Sequence, residues 1–240
     1  MSVRIVGLTG LPEVRPGDDL ATLIRAAAGQ LDPATIVVIA QKVVSKAENA
    51  IVDLRAITPS DLAAAWAAQH GKDPRLVELV LRQSRRIVKM DRGVIISETH
   101  HGFVAANAGV DQSNVPGEHF ATILPSDPDS SARRIRASLG CAAVIICDTF
   151  GRPWREGLIN VAIGVSGLDP LLDLRGSVDR SGRPLQATTI AVADELAAAA
   201  GLVMAKSEGV PVALITGFAP KEGEISAKAL VRAPEKDLFR

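Results

Sequence analysis

Two acidic residues stand where a chain often holds a catalytic or metal-binding group. Asp148 and Thr149 close the apolar run VIIC, so a carboxylate and a hydroxyl project from the end of a rigid strand toward the loops. Asp111 lies in AANAGVDQSN, whose small residues let the backbone approach a ligand closely, and Asn114 follows three positions later. Two separated carboxylates, a hydroxyl and amide oxygens make a hard oxygen set suited to Mg²⁺ or Mn²⁺. Lys42 and Lys46 follow the run TIVVIAQ in QKVVSKAEN. Four apart, they share a face if the segment is helical, and together they would hold phosphate. Plainer roles are open for each: an Asp at a strand end or in a Gly-rich loop also caps turns, and a lysine pair also lines a solvated helix.

Other candidates carry less. His100 and His101 are adjacent, so on a strand they face opposite ways and do not readily serve one ion. Arg133, Arg134 and Arg136 sit on an amphipathic pattern and read as a salt-bridged face, with phosphate binding open. Cys141 and Cys147 are six apart in an apolar segment, which is neither a CxxC pair nor a zinc knuckle; they read as small core residues. LTGLPEV is a turn with backbone N–H groups to offer. GxxxxGK[ST], strand–GxGxxG–helix, HExxH and G-x-S-x-G are absent from the sequence.

The elements that must position these groups are a mixture. Strands are expected over residues 3–8, 35–41, 86–90, 93–99, 142–151, 157–168 and 212–218, with a tight turn at Asp91-Arg92-Gly93. Helices are expected after Asp18 or Asp19 through LATLIRAAAGQL, from Ser60, from Pro74, over DPDSSARRIRASLG with Gly140 as its C-cap, and over 187–204. Residues 173–186 are turn-rich. Without regular βαβ alternation and with hairpin-like strand pairs, the pattern predicts an α+β chain with largely antiparallel sheets.

Composition removes whole classes of function. Lys plus Arg and Asp plus Glu both total 27 of 240 residues, so no global field favours a polyanion such as nucleic acid. Aromatics are 3% with no Tyr, which leaves no platforms for stacking bases. There is no signal-peptide pattern and no apolar run of about 18 residues, so no membrane span is expected. Two cysteines suit a reducing cytoplasm.

The blocks GLTGLPEVRPGDDL, QKVVSKAEN, GFVAANAGVDQSNVPGE, VIICDTFGRPWREGLINVAIG and VPVALITGF, in that order and spacing, resemble the coenzyme F420-0:L-glutamate ligase family from residue 5 to residue 218. The AGVDQSN and CDTFGRPWR blocks are its most specific signature. The resemblance implies a mixed α/β fold in an intertwined homodimer. It also implies GTP-dependent addition of L-glutamate to the lactyl-phospho-deazaflavin F420-0, then of further γ-linked glutamates, with Mg²⁺ or Mn²⁺ and stimulation by K⁺. By the same resemblance Asp111, Asp148 and Thr149 match metal ligands and Asn114 a nucleotide contact. Leu11, Pro12, Glu13 and Val14 match a GTP-binding loop, and Lys46 a phosphate-facing lysine. Gln41 stands where many members carry a GTP-contacting Ser, a departure an amide can still serve. Met204, Ala205, Lys206, Ser207, Glu208, Gly209, Val210 and Pro211 match a second nucleotide-binding stretch, with Glu208 as its metal-facing residue. Residues 1–218 would be the ligase domain. Residues 219–240 would be a polar, mobile tail similar to the segment that leads into a nitroreductase-like domain in actinobacterial relatives, so a ligase part without a flavin site is expected. The alternatives are an amide ligase acting on a different acid with GTP or ATP, and a non-catalytic nucleotide-binding homologue.

Overall fold

A computed structural model describes residues 2–115, 117–204 and 208–237. In chain order it begins with β1 (Arg4–Gly7), α1 (Leu20–Ala28), β2 (Ile36–Ala40), α2 (Gln41–Ala47) and β3 (Ile51–Asp53). Then come α3 (Asp61–His70), α4 (Pro74–Gln83), β4 (Ser84–Asp91), β5 (Val94–Thr99), β6 (Val104–Ala106) and β7 (Phe120–Thr122). The last third holds α5 (Pro128–Leu139), β8 (Ala143–Arg152), β9 (Arg155–Ser166), β10 (Leu172–Asp173), β11 (Thr189–Ile190), α6 (Val192–Gly201) and β12 (Val212–Thr216).

Helix starts are written in short polar side chains. Asp19, Ser60, Asp73 and Asp127 each accept a hydrogen bond from a first-turn backbone N–H of α1, α3, α4 and α5, which satisfies groups the helix leaves open. Gly71 and Gly140 end α3 and α5 in the left-handed conformation. α1 stops at Ala28, short of the expected Leu31, because Gly29 takes a positive φ. α6 starts at Val192 and not at 187, because Thr189 and Ile190 pair with Asp173 and Leu172. β-branched Thr and Ile suit that ladder better than a first helical turn.

The main sheet has the order β1-β12-β2-β8-β9. Its pairings are antiparallel except at the centre, where β2 and β8 run parallel, Ile36 opposite Ala143 through Ala40 opposite Cys147. Ile36 to Ile39 and Ala143 to Ile146 are fully buried, as a doubly covered parallel pair requires. β2 ends at Ala40, while β8 runs on to Arg152 with β9 as its remaining neighbour. α5 and α6 pack on this sheet and α1 packs on α5. A second sheet, β4-β5-β6, turns through Arg92 and Gly93, both at positive φ. It packs with α3 and α4 around one smaller apolar cluster, and the other face of α4 meets Leu54, Ile57 and Ala121 in a second.

Where a mobile tail is expected, the segment 224–231 beyond β12 is docked on the main core. Ala227 is fully buried and Leu230 and Val231 pack on the main core. Asp129 anchors it: Oδ1 accepts the Val165 and Ala227 N–H groups at 2.8 and 3.1 Å, and Oδ2 accepts the Ser226 hydroxyl at 2.6 Å. Arg136 adds an ion pair to Glu224 at 2.7 Å. The expected arginine face is salt-bridged here and at Arg134, whose Nη2 lies 2.5 Å from Glu48 Oε1. Cys141 and Cys147 are buried thiols, and burial pushes Cys147 up to about 12.

Glu78 ties α4 to the start of α3. Its carboxylate accepts the Ser60 hydroxyl and N–H at 2.6 and 3.0 Å and the Arg82 guanidinium at 2.9 Å. The Ser60 hydroxyl, then Arg82, hold its pKa at about 2 against an ordinary 4.5. A carboxyl whose pKa is lower folded than unfolded adds stability that is complete above its unfolded pKa and fades as pH falls through the folded one. Urea unfolding between pH 6 and pH 2 is expected to show a Glu78 contribution complete above 4.5 and lost toward 2. Glu78→Gln is expected to lower stability above that window and to flatten the slope within it.

Candidate functional site

The site forms where β2 stops and β8 does not. Asp148 is the first β8 residue past the last β2 pairing, so space opens beside it that a neighbouring strand would fill. β2 runs into α2 without an intervening loop, which carries Lys42 and Lys46 to the same carboxyl ends of parallel strands, the usual place for a ligand crevice. The walls are pinned by backbone hydrogen bonds. Gly17 N–H donates to Ala47 O at 2.9 Å, holding the 9–17 strap to α2, and Ala40 N–H donates to Pro211 O at 2.8 Å. Asp111 and Thr122 exchange backbone bonds at 3.0 and 2.8 Å, and Ile123 N–H reaches Ala50 O at 3.1 Å.

The Asp111 loop is bent by residues in the left-handed region: Asn107, Ala108, Gly109 and Asn114 all have positive φ. At Gly109 a Cβ would also meet Leu124 at 2.7 Å, so both backbone and space require glycine. Asp111 Oδ1 accepts the Ser113 N–H at 2.7 Å, closing an Asx turn.

Two adjoining cavities result. The first, about 390 Å³, is walled by Leu11, Pro12, Glu13 and Val14 on one side and by Met204, Gly209, Val210 and Pro211 on another. Lys46, Asn114, Thr149 and Asn160 also face it. The second, about 400 Å³, brings Asp111 and Asp148 together with Gln41 and Ser113. Lys42, Asn114 and Thr149 line both. Residues expected as one site from widely separated segments therefore converge. Glu208 is exposed and belongs to the lining of neither cavity, while Ala205, Lys206 and Ser207 lie outside the described residues.

The electrostatics pair each cation with an acid. Lys42 Nζ lies 2.6 Å from Asp111 Oδ2 and 2.5 Å from Ser113 Oγ. Burial pushes the Asp111 carboxyl up, but the hydrogen bond and charge of Lys42 and the Ser113 N–H and hydroxyl outweigh it and leave it below the ordinary range. Lys46 is paired with Glu13; its side chain is 5% exposed and that of Glu13 72%. The asymmetry matters. Stripping a buried charge of its partner costs about 3–5 kcal/mol, whereas an exposed ion pair is worth about 0–1 kcal/mol. Lys46 therefore requires an anion, and an anion entering the cavity can replace Glu13. Gln41 is buried, with its Oε1 accepting the Ser45 hydroxyl at 2.8 Å. The Thr149 hydroxyl donates to Asn160 Oδ1 at 3.0 Å.

Asn160 and Ser113 are site residues that the sequence reading missed. Asn160 had a signal, a polar residue inside the strand run GLINVAIG. His100 and His101 stand apart: their Nε2 atoms bond the Arg82 carbonyl at 3.0 Å and the Pro125 carbonyl at 2.9 Å.

The donor set fits a hard divalent cation. Asp111 is ionised at neutral pH, and its cavity already accommodates a positive charge from Lys42. Among the described residues no group of three or more His, Cys, Asp or Glu assembles. Asp111 and Asp148 line one cavity, and Mg²⁺ is usually held by one or two carboxylates plus substrate phosphates.

Known proteins were compared with this chain. A family model described as F420-0:Gamma-glutamyl ligase matches residues 9–217. A protein of Methanothermobacter thermautotrophicus named coenzyme F420:L-glutamate ligase is 47% identical, covering 100% of both chains. Proteins of the same name from Methanopyrus kandleri and Methanocaldococcus jannaschii are 47% and 40% identical, over 95% and 99% of this chain and 94% and 97% of theirs. No helix among the described residues is long and apolar enough to cross a membrane.

The Glu13–Lys46 pair yields a direct test. Glu13→Gln is expected to tighten binding of inorganic tripolyphosphate a few-fold, since it removes an exposed competitor for a buried ammonium. Titration calorimetry at low salt reads it; unchanged affinity would mean that Lys46 does not meet the anion.

Proposed function

Because the chain belongs to the F420-0:gamma-glutamyl ligase family, we propose that it joins L-glutamate to coenzyme F420-0 at the expense of GTP, through an acyl phosphate, and then adds further γ-linked glutamates. One observation carries the reading. A cavity holding a buried lysine adjoins a cavity holding two carboxylates, and Lys42, Asn114 and Thr149 line both. A triphosphate in the first would lay its terminal phosphate toward the second. The volume of about 390 Å³ lies in the range of small-molecule sites.

The chemistry follows from the acceptor. A carboxylate is a poor electrophile. In the first step its oxygen attacks the γ-phosphorus of GTP, the bond to the β-bridging oxygen breaks, and GDP leaves. In the second the amine of glutamate attacks the acyl carbon, phosphate leaves and the nitrogen loses a proton, giving the amide. No nucleophilic side chain is needed, and positioning with charge neutralisation does the catalysis. Lys46, released from Glu13, meets the phosphates. Asn114 and the 11–14 turn orient the nucleotide. Asp111, Asp148 and Thr149 would hold the divalent cation, which when bound polarises phosphate oxygens as a Lewis acid. Lys42 is the residue that must leave Asp111 when such an ion arrives.

Self-association belongs to this reading. The β8–β9 hairpin presents Trp154 in its turn and Leu158 on β9 to solvent, the latter 63% exposed, and exposed large apolar side chains favour a contact with a second chain. Leu158→Asp is expected to shift the sedimentation profile from dimer toward monomer.

The decisive experiment is mass spectrometry of products after incubation with F420-0, L-glutamate, GTP and Mn²⁺. The expected result is glutamylated F420 and GDP, with GTP hydrolysis dependent on both acceptor and glutamate. Asp148→Ala is expected to keep the fold and to lower turnover by about 10²–10³-fold or more. Near-normal turnover would remove the metal assignment, and GTP hydrolysis supported by a different acid would reassign the acceptor.

A further inference from the structure

A second polar cavity, of about 540 Å³, lies apart from the reaction site. Four permanent cations face it, Arg85, Arg86, Lys228 and Arg232, against one carboxylate, Glu98, with His101 beside them. The chain as a whole carries no net charge, so the accumulation is local. Glu98 is buried and clamped by both arginines, with Arg85 Nη1 at 3.4 Å and Arg86 Nη2 at 3.1 Å. Lys228 and Arg232 form no ion pair among the described residues and come from the docked segment beyond β12. Cations gathered at one groove describe a site for an anion with several negative groups.

The groove also leads toward the reaction site. It shares Gly102, Val231 and Arg232 with an adjoining cavity of about 240 Å³ that Phe150 and Val161 line. These are the chain neighbours of Thr149 and Asn160. Val161 is the register partner of Asp148, so the adjoining cavity lies against the strand pair that carries the reaction site.

We propose that this groove binds the γ-linked oligoglutamyl tail of the acceptor. The inference rests on the proposed ligase activity. Every γ-linked glutamate keeps its α-carboxylate, so the acceptor gains one negative charge per round, and a groove of spaced cations holds a lengthened tail better than a short one.

The test is titration calorimetry of synthetic tri-γ-L-glutamate into the wild-type protein and into Lys228→Glu/Arg232→Glu. These two side chains are used because replacing Arg85 or Arg86 would strand Glu98. Binding is expected to weaken about tenfold or more in the double variant and to weaken with salt in the wild type. L-Glutamate alone is expected to bind far more weakly than the trimer. Equal affinity in both proteins, or no binding to the wild type, overturns the proposal, and the wild-type titration decides it should the variant not fold. Inorganic phosphate bound at the groove with no trimer bound would make it a phosphate site and also overturns it. Wild-type protein that glutamylates F420-0 yet ignores the trimer refutes the groove alone. Trimer binding without F420-0 glutamylation refutes the ligase reading instead.

Discussion

The parallel pairing of β2 with β8 is the constraint from which the site follows. Antiparallel neighbours would have sent the two strands to opposite ends of the sheet, with Lys42 and Lys46 at one end and Asp148 at the other. Running together, they deliver cations and carboxylates to one end. The mismatch in their lengths opens the room between them, because β8 continues where β2 turns directly into α2. The buried ladder of Ile36–Ile39 against Ala143–Ile146 keeps this end rigid. Burial of about 25 cal/mol per Å² of apolar surface makes such a core the costly part of the fold to disturb, so the strap, the loops and the 208–211 wall are fastened to it and not the reverse.

Charge placement within the crevice obeys the same economy. Each lysine has an acid partner before any ligand enters, Lys46 with Glu13 and Lys42 with Asp111. These partners stand where a phosphate and a cation would act. Lys42 and Lys46 are thus held in place and neutralised before a ligand binds, and a ligand exchanges one neutralised arrangement for another.

Much of this was legible in the residues. The strands over 35–41, 142–151 and 157–168, the Arg92-Gly93 turn and the starts of α3, α4 and α5 carry local signals, and local signals were enough. Chain order does not reveal the strand order of the sheet or the parallel pair at its centre, since both depend on contacts distant in sequence. α6 shows the limit of propensity: Ala-rich sequence extends a helix on paper, but pairing with β10 claims Thr189 and Ile190. The segment beyond β12 shows it again. Glu224 and Ser226 read as solvated tail residues, yet Arg136 and Asp129 wait for them far back in the chain. At the site, Asp111, Asp148, Lys42 and Lys46 were each ambiguous alone; only their convergence gives them meaning. Asn160 was passed over because an isolated amide in an apolar strand has no motif.

The sheet order carries a consequence for how the chain is made. β1 lies at the sheet edge, and among the described residues its one strand neighbour is β12, with Arg4 opposite Thr216. During synthesis β1 leaves the ribosome with no partner to bond, and it waits until the chain through Thr216 has been translated. Pairings this remote in sequence close slowly, and an unpaired strand is open to wrong partners in the meantime. Its shortness and the exposed, basic Arg4 are its protection during that interval.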